Sequence, residues 1–276
     1  MSGSSTIPAG EGRSVVAPRP AATVLLIRDG ADGLEVFLVQ RHHQIDFAAG
    51  ALVFPGGKLD PLDSDPALRA LCAGADGLDD YGLSLRVAAI RESFEECGVL
   101  LARAKGSPAL VSAARLADLW KRHRAEVESH RLAIGALAHG EGLELACDLL
   151  VPFAHWITPE GMPKRFDTHF FLVEAPTHQA AVHDGHENVD ARWLRPADAL
   201  AEADAGRATI IFPTRMNLAK LGRSASVAEA LAAARAARVV TVLPRVERGD
   251  GGPVLRIPAE AGYDLVEAPL ESITRA

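Results

Sequence analysis

Arg91-Glu92-Ser93-Phe94-Glu95-Glu96-Cys97-Gly98-Val99 places three glutamates at positions i, i+3 and i+4 of a helical pattern. A helix brings those positions onto one face, with neighbouring Cβ atoms about 5–6 Å apart. Like charges at that spacing repel one another, so a bound cation would stabilise the cluster. Carboxylate oxygens are hard ligands, which favours Mg²⁺ or Mn²⁺ over zinc or copper. Because acidic triplets also occur on solvated helix faces, this interpretation depends on the sequence upstream.

The upstream segment is Phe54-Pro55-Gly56-Gly57-Lys58-Leu59-Asp60, and the apolar run 51–54 is typical of the end of a strand. Two adjacent glycines allow positive φ and a close approach of the backbone to a ligand. Together the two segments resemble the signature of the Nudix hydrolases, G-x5-E-x7-R-E-U-x-E-E-x-G-U, in which U is aliphatic. The second half of the signature matches at Arg91, Glu92, Glu95, Glu96, Gly98 and Val99, while Ser93 stands where an aliphatic residue is usual.

The first half of the signature is interrupted. There are 33 residues between Gly57 and Arg91, where the uninterrupted pattern has 13. The position of its glutamate falls on Asp63 when counted from Gly57 and on Leu83 when counted from Arg91, so Asp60 or Asp63 is the candidate substitute. The segment 61–83 is rich in Asp, Gly and Pro, which predicts a loop inserted in the motif. Such an insertion is tolerated because closure entropy grows slowly with loop length.

An interrupted motif of this kind resembles the peroxisomal acyl-CoA diphosphatase branch of the Nudix superfamily and its bacterial relatives. Arg41, Gly50 and the Phe-Pro-Gly-Gly run are in register with the coenzyme A-associated pattern L-L-T-x-R-[SA]-x3-R-x3-G-x3-F-P-G-G. His42 stands where Ser or Ala is expected, and Asp46 stands where the second arginine is expected. The second change replaces a phosphate-attracting group with a carboxylate, so it bears on specificity for CoA and leaves the hydrolase interpretation intact.

The resemblance implies roles for the residues of the motif. Glu92 and Glu96, at i and i+4, are the expected ligands of Mg²⁺ or Mn²⁺, with Glu95 serving a second ion or the water shell. Arg91 is expected to pair with and orient one of these carboxylates. The backbone carbonyl of Gly57, or that of Gly56, is expected to reach the metal.

Further site residues are predicted downstream. Glu187, just before a predicted strand, is the candidate general base; zinc binding by His183 and His186 is the alternative use of that loop, less favoured because no third ligand has suitable spacing. Arg41 is the first candidate for a substrate phosphate, since guanidinium binds phosphate oxygens bidentately. The second candidates are Lys164 and Arg165.

Composition limits the class of function. The chain has 276 residues, 48% of them hydrophobic, and a net charge of −7, which argues against a sequence-independent nucleic-acid binder. Its three cysteines have no metal-ligand spacing, which is typical of reduced thiols. The segment 1–20 lacks the apolar core of a signal peptide, and no apolar run approaches the ~20 residues that span a bilayer. We therefore expect a cytoplasmic enzyme, monomeric or homodimeric, with no membrane partner and a small nucleotide substrate.

The patterns predict an α+β fold, the Nudix fold, in which a mixed sheet lies between helices. The predicted strands are 22–28 and 34–40 as a hairpin, then 147–156, 168–174 and 189–194; the predicted helices are 85–101, 110–137, 196–205, 213–221 and 227–237. Short β segments at 239–243 and 254–257 have no assigned place. As domains we predict a disordered lead-in 1–20, a Nudix domain 21–222 with insertions 61–83 and 103–146, and an extension 223–276.

The predicted reaction is hydrolysis of a phosphoanhydride by water, assisted by a divalent metal ion. The leading hypothesis is a diphosphatase for a CoA or acyl-CoA type substrate. A second is a diphosphatase for NADH, ADP-ribose or a similar dinucleotide. A third, from a different class, is a non-catalytic Nudix-fold sensor that binds nucleotides; the complete set Glu92, Glu95 and Glu96 argues against it, because binding alone does not require all three carboxylates.

Overall fold

The computed structural model describes residues 16–42, 50–129, 131–179, 181, 188–249 and 252–269. The strands in chain order are β1 (Arg19–Gly30), β2 (Gly33–Arg41), β3 (Leu52–Val53), β4 (Gly56–Lys58), β5 (Ala102–Ala104), β6 (Leu143–Leu145), β7 (Val151–Ile157), β8 (Phe166–Glu174), β9 (Asn188–Leu194), β10 (Thr241–Val242), β11 (Arg245–Gly249), β12 (Gly252–Arg256) and β13 (Glu267–Pro269). The α-helices are α1 (Asp80–Cys97), α2 (Ala113–Glu128), α3 (Ile134–Gly140), α4 (Pro196–Asp204), α5 (Phe212–Leu221) and α6 (Val227–Ala236).

The main sheet has the order β10-β7-β8-β1-β2-β3, with β4 also pairing with β1 and β9 with β2. Strand β1 runs parallel to β8, and β10 runs parallel to β7, while the other pairs are antiparallel. The predicted hairpin of β1 and β2 is present, closed by a two-residue turn between Gly30 and Gly33. The sheet is therefore mixed, as predicted.

Side chains of β1 alternate between two buried layers, because successive residues of a strand point to opposite faces. Val24 and Leu26 belong to the layer that also holds the apolar residues of α1, α2 and α3. Leu25 and Ile27 belong to the layer that holds those of α5, α6 and the C-terminal strands. Helices thus cover both faces of the sheet, which confirms the predicted α+β arrangement of a mixed sheet between helices.

Helix α1 positions the acidic motif, and its bounds differ from the predicted 85–101. It begins at Asp80, because the Asp79 side chain caps it by accepting the Gly82 N–H at 2.7 Å. It ends at Cys97, where Gly98 adopts a left-handed conformation with φ 66° and donates its N–H to Phe94 O. The glycine ends the helix within the motif.

Phe94 fixes the carboxyl end of α1. Its side chain is fully buried and lies edge-on to Trp120 of α2, with ring centroids 5.2 Å apart. Truncating a buried phenylalanine costs about 3–5 kcal/mol of folding free energy, so this contact is a strong anchor. It holds the turn of α1 that carries Glu95 and Glu96.

The single helix predicted for 110–137 is two helices, α2 and α3. The hydroxyl of Ser129 donates to Ala125 O at 2.6 Å and satisfies one of the last carbonyls of α2, which ends there. The chain then turns, and α3 packs across the segment 61–83, with Leu68 lying against Gly135. The predicted insertion loop is itself ordered, because Pro61–Ser64 and Pro66–Leu71 form 3-10 helices.

The two ends of the chain also differ from prediction. The lead-in predicted for 1–20 lies outside the described residues up to position 15, and the chain is already in β1 at Arg19. In the C-terminal segment, β10 pairs with β7 of the main sheet, and β11, β12 and β13 form a separate antiparallel sheet. Buried hydrogen bonds hold this segment against the main sheet: Trp156 donates to the Tyr263 hydroxyl, which donates to Asn217.

Across the described ranges, no helix is long and apolar enough to cross a membrane.

Candidate metal centre

Helix α1 directs two glutamates at the glycines of β4. Glu96 Oε2 accepts the N–H of Gly56 at 2.9 Å. The Glu92 carboxylate lies so close to Gly57 that a Cβ on this residue would be 2.4 Å from Oε1. Both carboxylates are buried, with 7% of Glu92 and 5% of Glu96 exposed. The two predicted metal ligands and the predicted glycine turn therefore meet at one place.

The backbone approach at the glycines is closer than any other residue would allow. Gly56 has φ 157°, and a Cβ there would lie 2.5 Å from Ala22 O and 2.7 Å from the Cα of Thr23. The reason is that β4 pairs with β1 in this register. Strand β4 therefore needs a glycine at position 56, where β1 is close, and a glycine at position 57, where Glu92 of α1 is close.

We expect Gly57→Ala to weaken the centre. The added methyl group would force the Glu92 carboxylate aside, and overpacking of this kind typically costs about 1–3 kcal/mol. The expected result is a lower melting temperature and a smaller rise in melting temperature when Mg²⁺ is added, both measured by thermal unfolding. Gly140→Ala is the matched control, since a Cβ at that helix end would meet no described atom within 4 Å other than those of its chain neighbours and its own helix. A Gly57→Ala protein with a wild-type response to Mg²⁺ would contradict the placement of Glu92.

Arg91 links the acidic residues of the centre. It is buried, with 4% exposed, and its Nη1 donates to Glu92 Oε1 at 2.8 Å and to Glu95 Oε2 at 3.1 Å. Its Nη2 donates to Lys58 O at 2.9 Å. Burial lowers the pKa of the guanidinium, but the surrounding carboxylates, Glu92 first, outweigh burial and raise that pKa above its ordinary value. Arg91 therefore contacts two of the motif's carboxylates, where the sequence predicted that it would pair with one, and its role in orienting them stays a prediction.

Asp63 is the residue that completes the contacts of Arg91. Its carboxylate is 2% exposed and accepts from Arg91 Nε at 3.0 Å and from Nη2 at 2.9 Å. Asp60, the other candidate for this position, instead begins the 3-10 turn, where its side chain accepts the N–H of Leu62. Of these two candidates for the position of the motif glutamate, Asp63 is hydrogen-bonded to Arg91, and its part in the reaction stays a prediction. The segment treated as an insertion from residue 61 thus contributes a residue to the centre.

Glu95 brings a third carboxylate whose surroundings favour a cation. Its Oε1 is buried and has no hydrogen-bond partner among the described residues. Burial raises the pKa of Glu95 to about 8, although Arg91 opposes the change. A buried acceptor without a partner costs about 1–3 kcal/mol, and a cation or its bound water would supply the partner. Asp63, Glu92 and Glu95 are three carboxylates on the single guanidinium of Arg91, and Glu96 adds a fourth carboxylate beside Gly56, so the residues fit a hard divalent cation.

Arg41 ends strand β2 at the start of the segment that leads to the glycines. Its N–H donates to Ala51 O at 3.0 Å, and its carbonyl accepts the N–H of Gly50 at 3.1 Å. Asp46, which stands where the coenzyme A-associated pattern has its second arginine, lies outside the described residues. The contact of Arg41 with a substrate phosphate stays a prediction.

Arg165 has a different role from the one predicted. It is 5% exposed, and it donates from Nη1 to Val16 O at 2.7 Å and from Nε to Thr158 O at 3.0 Å. Because these carbonyls hold the guanidinium inside the protein, we assign Arg165 to tying the chain before β1 to the turn before β8. Lys164, beside it, is exposed and stays the candidate for a phosphate in this turn.

Glu187, the predicted general base, lies outside the described residues, as do His183 and His186. The described chain resumes at Asn188, which begins β9 opposite Arg41. Asn188 therefore lies beside the predicted phosphate ligand, and the assignment of Glu187 as the base stays a prediction.

Comparison with known families and proteins agrees with this geometry. A family model described as the NUDT19 Nudix domain matches residues 76–221, and one described as the NUDIX domain matches residues 17–134. Human "Acyl-coenzyme A diphosphatase NUDT19" is 30% identical over 213 residues, which cover 61% of this chain and 55% of that protein. The Caenorhabditis elegans "Putative nudix hydrolase 7" is 26% identical, over 68% of this chain and 56% of that protein. The chain thus spans little more than half the length of these curated relatives.

A solved structure extends the comparison. The crystal structure of a NUDIX hydrolase from Alicyclobacillus acidocaldarius is similar with a TM-score of 0.63 and 32% sequence identity. The match covers 78% of this chain and 96% of that one.

Proposed function

The chain belongs to the Nudix hydrolase family, and from this premise we propose that it is a diphosphatase that requires Mg²⁺ or Mn²⁺ and cleaves the pyrophosphate bond of a CoA or acyl-CoA type substrate. The observation that carries the proposal is the set of buried Glu92 and Glu96 and half-buried Glu95 beside Gly56 and Gly57, in which Oε1 of Glu95 has no hydrogen-bond partner among the described residues. A cluster so acidic and so buried is unfavourable for folding on its own, which is typical of a site built for a cation.

Each residue of the centre has a task in this proposal. Glu92 and Glu96 would hold the divalent cation, and Glu95 would serve it directly or through its bound water. Arg91 keeps the carboxylates of Glu92 and Glu95 in place, and Asp63 keeps Arg91 in place. When bound, the cation neutralises phosphate charge and makes an attacking water more acidic. Arg41 and Lys164 are our candidates for binding the phosphates, and Glu187 is our candidate for accepting the proton of the water.

The proposed substrate class rests on two lines of support. One is the register of Arg41, Gly50 and Phe54-Pro55-Gly56-Gly57 with the coenzyme A-associated pattern. The other is the name of the human relative, an acyl-coenzyme A diphosphatase. The carboxylate of Asp46, in place of an arginine, weakens attraction for a phosphate at that position and makes dinucleotides such as NADH the first alternative.

We expect purified protein with Mg²⁺ to release 3′,5′-ADP and a 4′-phosphopantetheine product from CoA or an acyl-CoA. The test incubates the protein with free CoA, several acyl-CoAs, NADH and ADP-ribose, with Mg²⁺, Mn²⁺ or EDTA, and identifies the products by mass spectrometry. AMP formed from the dinucleotides alone would assign the alternative substrate class. Nucleotide binding without turnover under either metal would refute the diphosphatase and favour a sensor.

A further inference from the structure

A second group of metal-ligating side chains lies on the main sheet, away from the acidic motif. His155 of β7 and His169 of β8 are paired across the two strands, and their rings stack with centroids 3.9 Å apart and 21° between the planes. Asp167 precedes His169 by two residues on the same strand and so shares its face. Ligand atoms of all three side chains lie within 4.8 Å of one another.

A bulge in β7 produces this arrangement. Pro152 pairs with Phe171, but Ala154 pairs with Phe170, so one residue of β7 is left without a partner. Without the bulge, His155 would lie opposite Thr168 instead of His169. β-bulges commonly re-aim side chains next to functional sites. The irregularity here is what brings the two imidazoles together.

The three side chains converge on one point. The carboxylate oxygen Asp167 Oδ1 contacts Nε2 of His155 and lies 3.8 Å from Nε2 of His169. The Nε2 atom of His169 is buried and has no hydrogen-bond partner among the described residues. Buried polar atoms nearly always have a partner, so this atom indicates a missing one.

Two neighbouring groups hold the imidazoles. Nδ1 of His155 lies 2.8 Å from Oγ1 of Thr241, on strand β10. Donation of an Nδ1 proton to an oxygen leaves Nε2 as the ligand atom, and metal-binding histidines are usually oriented in this way. The ring of Tyr81, at the start of α1, lies edge-on to His169 at 5.9 Å between centroids.

We propose that His155, Asp167 and His169 bind a divalent transition metal ion of the zinc type. Two imidazoles and one carboxylate suit Zn²⁺ or Co²⁺, whereas Mg²⁺ prefers oxygen ligands. A bound ion would replace the contact between Nε2 of His155 and Oδ1 of Asp167, and it would give Nε2 of His169 the partner that it lacks among the described residues. Water would complete the coordination.

The proposed site is separate from the acidic centre on the same sheet face. His169 pairs with Ala22, and Ala22 pairs with Gly57, so two strand spacings, about 10 Å, separate the backbones of the two sites. An ion here would also link β7 to β8. The protein would then hold two cations of different chemical class side by side.

The test titrates tag-free, full-length protein with Co²⁺ in the presence of excess Mg²⁺, which occupies the carboxylate centre. We expect one equivalent of Co²⁺ with the visible absorption of a nitrogen-ligated ion, its displacement by Zn²⁺, and a rise in melting temperature of several degrees with Zn²⁺. His169→Gln and His155→Gln should each weaken Co²⁺ binding at least a hundredfold. Thr241→Val, which removes only the orienting hydroxyl, should weaken it by about tenfold.

His139→Gln is the matched control, because His139 is exposed on α3 and should leave Co²⁺ binding unchanged. Asp167→Asn serves as the second variant if a histidine variant does not fold. The response of melting temperature to Mg²⁺ reports whether each variant keeps its fold and its acidic centre. Wild-type protein that takes up no Co²⁺ under excess Mg²⁺, or folded His155 and His169 variants that bind it like wild type, would overturn the proposal.

Discussion

Replacing Glu96 by glutamine is expected to lower kcat/KM for the pyrophosphate substrate by at least about 10³-fold, which corresponds to about 4 kcal/mol of transition-state stabilisation. Glutamine has nearly the same shape and keeps an oxygen that accepts the N–H of Gly56. The substitution therefore removes the negative charge and little else. Because a hard divalent cation depends on that charge, turnover should fall while the fold stays intact.

Two measurements separate loss of the cation from loss of the fold. Without metal, the melting temperature of Glu96→Gln should equal or exceed that of the wild type, since one of several repelling carboxylates is gone. On addition of Mg²⁺, the stabilisation seen in the wild type should largely disappear. Glu126→Gln is the matched control, because Glu126 is exposed on α2 and the same chemical change should have no effect there. A Glu96→Gln enzyme with most of its activity would refute the metal assignment.

Local sequence patterns are sufficient to predict those parts of the centre that lie on a single helix or strand. The spacing of Glu92, Glu95 and Glu96 predicts a shared helix face whatever the rest of the fold. The paired glycines Gly56 and Gly57 predict a close approach, and the structure has one on each of them. Such features depend on the helix period and on the absence of a Cβ, both of which can be read without knowing any tertiary contact.

The parts that could not be predicted depend on pairing between distant segments. Arg91 and Asp63 are 28 residues apart, and the choice between Asp60 and Asp63 depends on which of them begins the 3-10 turn. His155 lies opposite His169 only because a bulge in β7 shifts the strand register by one residue. The alternation of residue types along a strand does not predict such a bulge. The burial of Arg165 against the carbonyls of Val16 and Thr158 is equally a matter of tertiary structure. A basic residue in a polar turn is predicted to be exposed, and here the fold encloses it.

Replacing Asp63 by alanine is expected to destabilise the protein by about 3–5 kcal/mol, because it leaves the buried guanidinium of Arg91 without its bidentate partner. Arg91 would lose its hydrogen bonds to Asp63 from Nε and Nη2, so its guanidinium would be held only through Nη1 and the carbonyl of Lys58. The N–H of Asp60, which donates to Asp63 at 2.8 Å, would lose its acceptor as well. Catalysis should fall as well, since the carboxylates of Glu92 and Glu95 take their orientation from Nη1. Urea unfolding and steady-state kinetics measure the two effects.

The matched control for Asp63→Ala is Asp65→Ala, two residues further along the same segment. Asp65 is exposed and only caps a short 3-10 helix by accepting the N–H of Ala67, so its loss should cost about 1 kcal/mol or less. Asp63→Asn should lie between the two, because an amide oxygen still accepts from Arg91 but carries no charge to balance it. If Asp63→Ala were as stable and active as Asp65→Ala, the segment 61–83 would be a dispensable loop, and Arg91 would be held well enough by the glutamates and the carbonyl of Lys58. The burial of Asp63, which is 2% exposed, argues for the opposite outcome. The motif tolerates the insertion because the first residues of the inserted segment place the Asp63 carboxylate against Arg91.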